Sequence, residues 1–559
     1  MRAGLVAGFF LLASVMPTRA QWQANGTPVS IDAGHQTQVV AVSDGAGGAY
    51  LAWASSEQNG DIYAQRLNAA GVAQWPANGI PICSHPSAQS APSIVIDTSG
   101  GVFIAWNDWR NEATSNQDIY VQRVTSAGVT VFTANGIVLT GATGGQHYAI
   151  MVSDNAGGIV AAWLDFRGGS SSDVYGARMT STGTRPDGPN GIAISTAVSN
   201  QTPSSILPYA GGGAIVAWTD ARGGVPDVYA ARVSNAGAVL DATGIPICVT
   251  GGEQSYPALV HDGAGGAIVT FCDAGRSGEV YAQRINSAGA VQWTENGVVV
   301  GKAVLLTNIL QQPQTVSDGA GGAILSWLRF DGSDINIYAQ RIDGAGISQW
   351  NPNSVRVCNA SGNQTGVVIT GDTQGGAVVG WSDPRALTNG GDVYAQRISP
   401  GGSSMWADNG EVLCDEPLDQ SGIALVSDMV GGAILGWADK RVFNDTDIYA
   451  NRLGPGGQMP TDVSASPSAV SFGVNYPNPF NPSTAIPFSL ASACRATLRI
   501  YGVSGELVTT LLDEDCGAGE HVARWDGRDA SGVASSSGIY FARLDVSGTS
   551  KTLKMVRMK

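Results

Sequence analysis

One unit is repeated eight times along this chain, and the repeat constrains the fold more than any other feature. Each copy has a pair of glycines, a short apolar segment and then a Trp or Phe. These aromatic residues are about 55 residues apart, close to the roughly 40–50 residues of a four-stranded propeller blade. The spacing predicts a β-repeat fold. The aromatic residues are Trp53, Trp106, Trp163, Trp218, Phe271, Trp327, Trp381 and Trp437.

Each copy predicts four short strands. In the first copy, the first strand ends at the turn of residues 43–48, where glycines supply the positive φ of a tight hairpin. The second strand runs from Ala49 to Trp53, and the third runs from Asp61 to Arg66. The fourth carries residues 74–80, Gln-Trp-Pro-Ala-Asn-Gly-Ile. The third strand holds a Tyr in every copy, and an Arg follows it three residues later.

The two ends of the repeat region predict a closed array. The eighth copy has no fourth strand after Arg452, but residues 21–26, Gln-Trp-Gln-Ala-Asn-Gly, match residues 74–79. A blade completed by the opposite end of the chain removes the exposed edges of an open array. We therefore expect an all-β protein in which residues 21–453 form an eight-bladed β-propeller closed by the N-terminal strand, and not a linear solenoid.

Composition and charge restrict the partners. Charged residues make up 13% of the 559 residues, about half the globular average, which disfavours long exposed helices. The net charge of −15 has the wrong sign for a protein that neutralises phosphates, so we expect no nucleic acid partner. Residues 1–20 are typical of a secretory signal peptide. No later segment reaches the roughly 18 apolar residues of a membrane span, so we expect no transmembrane segment in the mature chain.

A second domain is predicted after a linker of residues 454–474, which is rich in Gly, Pro, Ser and Thr. Alternation of apolar and polar residues in 497–501 and 538–544 predicts strands of a β-sandwich. The domain also carries several separated motifs. They are Tyr-Pro-Asn-Pro-Phe-Asn-Pro at 476–482, Thr-Leu-Arg-Ile-Tyr-Gly-Val-Ser-Gly at 497–505, Arg-Trp-Asp-Gly-Arg-Asp at 524–529, Ser-Gly-Ile-Tyr-Phe at 537–541 and Lys-Met-Val-Arg-Met-Lys at 554–559.

These motifs resemble the C-terminal sorting domain of type IX secretion cargo, which is similar to the immunoglobulin-like domain of the flagellar hook-assembly scaffold. The resemblance covers about 85 residues, 475–559. It implies an immunoglobulin-like fold, recognition by the secretion translocon, export across the outer membrane and attachment at the cell surface. The alternative is a β-sandwich that acts only as a spacer, because fold does not dictate function.

The sharpest repeated polar pattern is Trp-x-Asp-x-Arg. In the sixth copy the two charges exchange places, as Arg329 and Asp331. Residues two apart on a strand lie on one side, and the exchange keeps opposite signs there, which favours an ion pair that shapes the turn. The other interpretation is a rim of charges that binds a ligand. The five regular pairs are Asp108 with Arg110, Asp165 with Arg167, Asp220 with Arg222, Asp383 with Arg385 and Asp439 with Arg441; in the fifth copy the Arg shifts by one, to Arg276.

A Gln lies seventeen residues before the Trp or Phe in seven copies, at the predicted start of the first strand, and Leu310 replaces it in the sixth. First strands line the channel of a propeller, and this set would share one rim with the Asp–Arg pairs. The amides either bind backbone groups of the neighbouring blade or bind a carbohydrate or peptide at the channel mouth. The seven are Gln36, Gln89, Gln146, Gln201, Gln254, Gln364 and Gln420.

Metal and disulfide sites are few in this sequence. His35, His85 and His147 lie near the same rim, but adjacent blades place them too far apart for one metal, and we expect no metal and no cofactor. Cys494 and Cys516 are candidates for a disulfide in the second domain, and the sequence leaves open whether they are bonded. The remaining cysteines are expected to be small buried residues, because equivalent outer positions of a ring exceed the roughly 7 Å limit for a bridge. They are Cys83, Cys248, Cys272, Cys358 and Cys414.

Function is the least constrained property of this sequence. It has no nucleophile elbow, no metalloprotease helix and no phosphate loop. A glycosidase carboxylate pair is defined by spatial separation and leaves no such motif. The aromatic residues are 53 to 57 residues apart, so no copy carries a long insertion. This regularity favours a secreted or cell-surface, non-catalytic protein whose propeller face binds a glycan or a protein. The alternative is a secreted carbohydrate-active or peptide-cleaving enzyme with a site at the channel mouth.

Overall fold

The structure is a computed structural model with almost exclusively β secondary structure. The predicted signal peptide, Leu310 and the linker residues 460–470 lie outside the described residues. Within the described part of the chain, the only helix is α1 (Glu112–Ser115), and no helix is long and apolar enough to cross a membrane. The structure describes residues 22–56, 60–209, 212–276, 279–302, 313–352, 354–385, 390–442, 445–459, 471–472, 475, 477–490, 494–517, 519–546 and 549–558.

The repeat region folds into four-stranded antiparallel sheets, one for each copy of the unit, which is the architecture of a β-propeller repeat. We number these sheets blades 1 to 8. Their first strands are β2 (Gln36–Ser43), β6 (Gln89–Ile96), β10 (Gln146–Ser153), β14 (Gln201–Tyr209), β18 (Gln254–His261), β22 (Gln314–Ser317), β26 (Thr365–Gly371) and β30 (Gln420–Ser427). Their second strands are β3 (Ala49–Ser55), β7 (Val102–Asp108), β11 (Ile159–Asp165), β15 (Gly213–Asp220), β19 (Ala267–Asp273), β23 (Ala323–Phe330), β27 (Ala377–Asp383) and β31 (Ala433–Asp439).

The outer half of each blade is formed by the third and fourth strands. The third strands are β4 (Asp61–Leu67), β8 (Asp118–Val124), β12 (Asp173–Met179), β16 (Asp227–Val233), β20 (Glu279–Ile285), β24 (Ile335–Ile342), β28 (Asp392–Ile398) and β32 (Asp447–Leu453). The fourth strands of blades 1 to 7 are β5 (Ile80–Cys83), β9 (Ile137–Thr140), β13 (Ile192–Ser195), β17 (Ile245–Cys248), β21 (Val298–Lys302), β25 (Val355–Cys358) and β29 (Glu411–Cys414). Blade 8 takes its fourth strand from the N-terminal segment, because β1 (Thr27–Ser30) pairs antiparallel with β32.

The fourth strands start later than the sequence predicts. In blade 1 the strand begins at Ile80, and residues 74–79 form the turn that leads into it. Asn78 and Gly79 both have positive φ, at 62° and 86°, which a strand does not accommodate. Trp75 of this turn donates its indole N–H to the carbonyl of Ser126 in blade 2, at 3.2 Å. The segment is therefore a turn that contacts the next blade.

The core lies between neighbouring blades. All residues of β3 and β7 are buried, because other blades cover both faces of these strands. One hydrophobic cluster joins Tyr50 and Ile62 of blade 1 to Val102 and Trp106 of blade 2. Another cluster joins Val426, Ile434 and Ile448 of blade 8 to Val39, Leu51 and Trp53 of blade 1. The first strands of successive blades also contact one another, and β30 contacts β2.

The C-terminal region forms two further sheets. One has the strand order β33 (Ser471–Phe472), β34 (Thr484–Leu490) and β37 (Gly519–Trp525). The other has the order β36 (Leu507–Cys516), β35 (Cys494–Gly502), β38 (Gly538–Val546) and β39 (Thr549–Arg557). The two sheets share one core, in which Ile486 and Phe488 of the first pack with Leu498, Ile500 and Leu544 of the second.

Candidate functional site

The predicted polar residues meet at one end of the blades, which we call the glutamine end. The strand register places Gln89 opposite Asp108 and Gln146 opposite Asp165. The same pairing joins Gln201 to Asp220, Gln254 to Asp273 and Gln420 to Asp439. The opposite end of the blades carries the hairpins between first and second strands, and we call it the turn end.

The Asp and Arg of this pattern form an ion pair inside each of blades 2 to 8, whereas blade 1 has Ser55 in place of the Asp. In blade 3, Oδ2 of Asp165 accepts hydrogen bonds from the indole of Trp163 at 2.8 Å and from Nη2 of Arg167 at 2.6 Å. The guanidinium of Arg167 also stacks 3.8 Å from the ring centroid of Tyr175 and donates to the carbonyl of Asn190. Corresponding ion pairs join Asp108 to Arg110, Asp220 to Arg222, Asp273 to Arg276, Arg329 to Asp331, Asp383 to Arg385 and Asp439 to Arg441.

These ion pairs neutralise the arginine charge within the protein. The carboxylate of Asp165 has no exposed surface, and 19% of the Arg167 side chain is exposed. In blade 6 the exchanged residues still pair, with Nε of Arg329 2.9 Å from Oδ1 of Asp331. This agrees with the interpretation of the pattern as an ion pair that shapes the turn.

The seven predicted glutamines hold the loops that lead into their own strands. In blade 3, Nε2 of Gln146 donates to the carbonyls of Ala142 at 3.1 Å and Gly144 at 2.5 Å. All seven donate to the carbonyl two residues earlier, and none is more than 2% exposed. The expectation that these amides bind backbone groups of the neighbouring blade is therefore wrong. The loop before each first strand places its own carbonyls within hydrogen-bond distance of the amide.

Two exposed tyrosines, absent from the predicted site residues, lie two positions after a glutamine. Tyr148 of blade 3 is 64% exposed and Tyr256 of blade 5 is 37% exposed. Their φ angles are 55° and 57°, a left-handed conformation that costs a bulky residue roughly 1–2 kcal/mol. The signal in the sequence is Gln-x-Tyr, which occurs only in these two copies.

The unusual backbone at these tyrosines belongs to the repeat. A β-bulge interrupts the pairing of the first and second strands at this point in blades 3 and 5. The same position has positive φ in four other blades, where its residues are Gln38, Ala91, Gly366 and Gly422. Only Tyr148 and Tyr256 place an aromatic ring on this backbone. The strained conformation is kept by non-glycine residues at four of these positions and relieved by glycine at two, and strain of this kind clusters at functional sites.

A shallow depression that is open to solvent, with a volume of about 400 Å³, adjoins Tyr148 on the inner side of blades 1 to 3. Its wall is formed by first strands and is mainly apolar, with no charged side chain. The backbone of Tyr148 is held there by Oδ1 of Asn107, which accepts the Tyr148 N–H at 3.0 Å. The lining residues are Val40, Ala41, Ala91, Pro92, Ser93, Ile94, Tyr148, Ala149 and Ile150.

His147 supports the tyrosine and does not add charge to the site. Its ring meets Phe166 edge-on at a centroid distance of 5.5 Å and lies 6.0 Å from the ring of Tyr148. Burial lowers the pKa of His147, which keeps the imidazole neutral at pH 7. His35 instead lies beside Thr446, with Nδ1 and Oγ1 3.2 Å apart. Among the described residues, no group of three or more His, Cys, Asp or Glu is placed to hold a metal.

A second set of carboxylates at the glutamine end was not predicted. In blades 2 to 5, 7 and 8 the register places the first residue of the third strand opposite the ion-paired Asp, as Asp383 with Asp392 and Asp439 with Asp447. Burial, together with the neighbouring carboxylates, raises the pKa of Asp392 and of Asp447 to about 6. The Asp-x-Tyr sequence of the third strand shows these residues, but the pairing becomes visible only with the register. Similar pairs are Asp108 with Asp118, Asp165 with Asp173, Asp220 with Asp227 and Asp273 with Glu279.

Six of the seven cysteines fall into two groups, and the seventh, Cys272, is buried within β19. Cys83 at the end of β5 lies against the next blade, with Sγ 3.9 Å from Oδ2 of Asp108, and burial raises its thiol pKa to about 11. Cys248, Cys358 and Cys414 make the same contact with the Asp of the following blade. Cys494 and Cys516 lie directly opposite each other on β35 and β36, and both thiols are free.

Comparisons with known proteins add fold-level similarities alone. No family model and no curated protein matches the chain. Similar solved structures include a lectin from Burkholderia pseudomallei, with 14% identity over 68% of this chain and 98% of the lectin and a TM-score of 0.42. An ulvan lyase has 13% identity over 69% of this chain and 96% of its own, with a TM-score of 0.40. A Hadza microbial sialidase has 12% identity over 72% and 76%, with a TM-score of 0.37. These similarities carry no argument about activity.

Proposed function

We propose that this chain is a secreted, non-catalytic binding protein that binds a glycan on the inner side of its glutamine end. The observation that carries the proposal is the exposed ring of Tyr148, held in a strained conformation beside a shallow, solvent-open depression of about 400 Å³. An apolar pocket with an aromatic wall and a few polar groups is a usual ligand site. The first strands pair on one side only, so their inner edges offer backbone N–H and C=O groups to sugar hydroxyls.

The proposal includes a closed, eight-bladed propeller. Three contacts across the ends of the repeat region support it, besides the pairing of β1 with β32. Nη1 of Arg452 in blade 8 donates to the carbonyl of Ala69 in blade 1 at 2.9 Å, and the indole of Trp22 donates to the same oxygen at 3.0 Å. Oδ1 of Asn78 in blade 1 accepts the N–H of Ile31, the residue after β1, at 3.1 Å.

Glycan binding is tested with the mature chain, residues 21–559, on a glycan array and by calorimetry. Tyr148→Ala should abolish array signal or lower affinity about tenfold, since an aromatic contact of this kind contributes roughly 1–2 kcal/mol. Tyr148→Phe, which keeps the ring, should retain most of the affinity. Ala91 occupies the equivalent position of blade 2, so the Ala variant is compatible with the backbone. Val503→Ala, at a 76% exposed position of the C-terminal region, is the matched control.

The same experiment separates binding from catalysis. The mature chain should release no reducing ends from the glycans that it binds, and no peptides from a generic protein substrate. Turnover of either substrate would replace this proposal with the enzyme alternative. Absence of any glycan binding, with the protein folded, would refute the proposal.

We also propose that residues 475–559 are an immunoglobulin-like sorting domain that directs the protein to the outer cell surface or the medium through the type IX translocon. The two sheets that share one core support a sandwich of this kind. Deletion of residues 475–559 in a host that has this export machinery should trap the protein in the periplasm. Unchanged secretion of the truncated chain would reduce the domain to a spacer.

A further inference from the structure

We propose that the ligand is a neutral oligosaccharide that contacts Tyr148 and Tyr256 together. This inference rests on the proposed glycan-binding function and adds the charge and the length of the ligand. Two observations carry it: the charge balance of the glutamine end, and the occurrence of the strained tyrosine in two blades that are not adjacent.

The charges at the glutamine end disfavour an anionic ligand. In blades 2 to 5 and in blades 7 and 8, each arginine of this end is paired with a buried aspartate. A second carboxylate lies directly opposite that aspartate on the third strand, for example Asp173 opposite Asp165. Each of these blades therefore presents two carboxylates and one guanidinium. The carboxylates would repel a uronic acid or a sulfated sugar, because the arginines that could bind the anion are already paired with aspartates. A neutral sugar would not be repelled.

The spacing of the two tyrosines favours an extended ligand. Blade 4 lies between them, and its first strand has Pro203 where a tyrosine would stand. Sheets that pack face to face lie about 10 Å apart, so we expect two rings with a blade between them to be farther apart than the length of one hexose. One monosaccharide therefore contacts a single tyrosine. An oligosaccharide that bridges both gains the second contact as an intramolecular step.

Blades 2, 7 and 8 leave room for such a chain. Gly366 of blade 7 and Gly422 of blade 8 occupy the tyrosine position, and no atom lies within 4 Å of a Cβ built on either glycine. Ala91 of blade 2 adds only a methyl group. The strained position thus carries an aromatic ring in blades 3 and 5 and open space in blades 7 and 8.

The test compares ligands of different length and charge against the mature chain. The probes are glucose, cellohexaose, maltohexaose, xylohexaose and the anionic hexagalacturonate. We expect at least one neutral hexasaccharide to bind, with an affinity well above that of its monosaccharide. Tyr148→Ala and Tyr256→Ala should each lower the ratio of hexasaccharide to monosaccharide affinity about tenfold. Val503→Ala should leave that ratio unchanged, and Tyr256→Phe should preserve it, which separates loss of the ring from a change in folding.

Three results would overturn the inference while leaving glycan binding intact. The first is hexagalacturonate binding as tight as that of any neutral probe. The second is a Tyr256→Ala variant whose affinity ratio equals that of the unmodified protein. The third is equal affinity for a monosaccharide and its hexasaccharide. Failure of every probe to bind, together with a blank glycan array, would instead refute the proposed function itself.

Discussion

The turn end and the glutamine end of the blades use the same ion pair in different ways. At the turn end, Arg66 pairs with Asp44 and also donates to the carbonyl of Ser126 in the next blade. At the glutamine end, Arg110 pairs with Asp108 and donates to the carbonyl of Asn135 in its own blade. The arginine at the turn end therefore binds a carbonyl of the next blade, whereas the arginine at the glutamine end binds a carbonyl of its own blade and the cysteine thiol of the preceding one. The residue two positions after the glutamine makes neither arginine contact, and it varies from blade to blade.

The arginine contact between blades recurs throughout the repeat region. The third-strand arginine of every blade donates through Nη1 to a turn carbonyl of the following blade, and Arg452 of blade 8 donates to blade 1. The eight arginines are Arg66, Arg123, Arg178, Arg232, Arg284, Arg341, Arg397 and Arg452. The tyrosine position of the glutamine end, by contrast, holds Gln, Ala, Tyr, Pro or Gly. Uniform contacts stabilise the assembly, and the variable position is the one suited to recognition.

Breaking the turn end should have the largest effect. Arg452→Ala removes the partner of Asp428, whose side chain has no exposed surface, and the contact with blade 1. Loss of one partner of a buried ion pair should lower the free energy of unfolding by about 3–5 kcal/mol. Lys440→Ala removes an ion pair with Asp419 that is about half exposed, so it should cost at most about 1 kcal/mol. Urea denaturation of both variants checks the difference, and equal costs would contradict it.

Relieving the strain at the glutamine end should separate stability from binding. Tyr148→Gly removes a bulky residue from a φ of 55° and should raise the free energy of unfolding by about 1 kcal/mol. The same variant should lose about tenfold in glycan affinity. Thermal unfolding and calorimetry on one preparation measure both. A variant that is less stable than the unmodified protein would show that the tyrosine contributes to folding and is not kept for binding.

The reciprocal substitution sharpens the contrast between blades. Gly422→Tyr places an aromatic ring on a φ of 62°, nearly that of Tyr148, with open space around the new Cβ. It should cost about 1 kcal/mol of stability because of the left-handed backbone. It should also raise the affinity for a neutral hexasaccharide by supplying a third aromatic contact. Unfolding of the variant near room temperature would indicate that the position cannot accept the ring.

The smallest effect concerns the paired carboxylates of the glutamine end. The pKa values of Asp392 and Asp447 are raised to about 6, above their usual range, so the folded state binds protons more tightly than the unfolded state. Their contribution to stability is therefore fully present below about pH 4 and is lost as the pH rises through about 6. Asp392→Asn with Asp447→Asn should raise the Tm at pH 7.5 and flatten its dependence on pH between 4 and 7. Asn336 occupies the equivalent position of blade 6. An unchanged pH profile would contradict the assignment.

The repeat fold could be predicted from the sequence because it depends on periodic residue types. Paired glycines, the closing Trp and the Tyr of the third strand mark the strands of every blade, and the match of residues 21–26 to 74–79 identified the N-terminal segment as the partner of blade 8. The fourth strands were placed too early, because Trp75 and Asn78 suit either a strand or a turn. Only the positive φ at Asn78 and Gly79 distinguishes the two.

The candidate site was less predictable because its geometry does not follow residue type. Gln146 recurs at the same position in six other blades. It recurs because its buried amide supports the loop before the first strand, and not because it binds a ligand. Tyr148 and Gly422 share one backbone conformation through a bulge, yet nothing in their types suggests equivalence. The carboxylate pair of Asp439 and Asp447 depends on cross-strand register. The two residues are eight positions apart in sequence, and the register places them opposite each other in the sheet.

Hydrogen–deuterium exchange with and without a saturating neutral hexasaccharide tests most directly whether the glutamine end is the binding end. Slower exchange is predicted for the amides of residues 146–150 and 254–258, which surround the two tyrosines. The hairpins of residues 44–48 and 318–322 at the turn end should exchange at the same rate with and without ligand. Protection at those hairpins or in residues 475–559, with none around Tyr148, would contradict the assignment of the site.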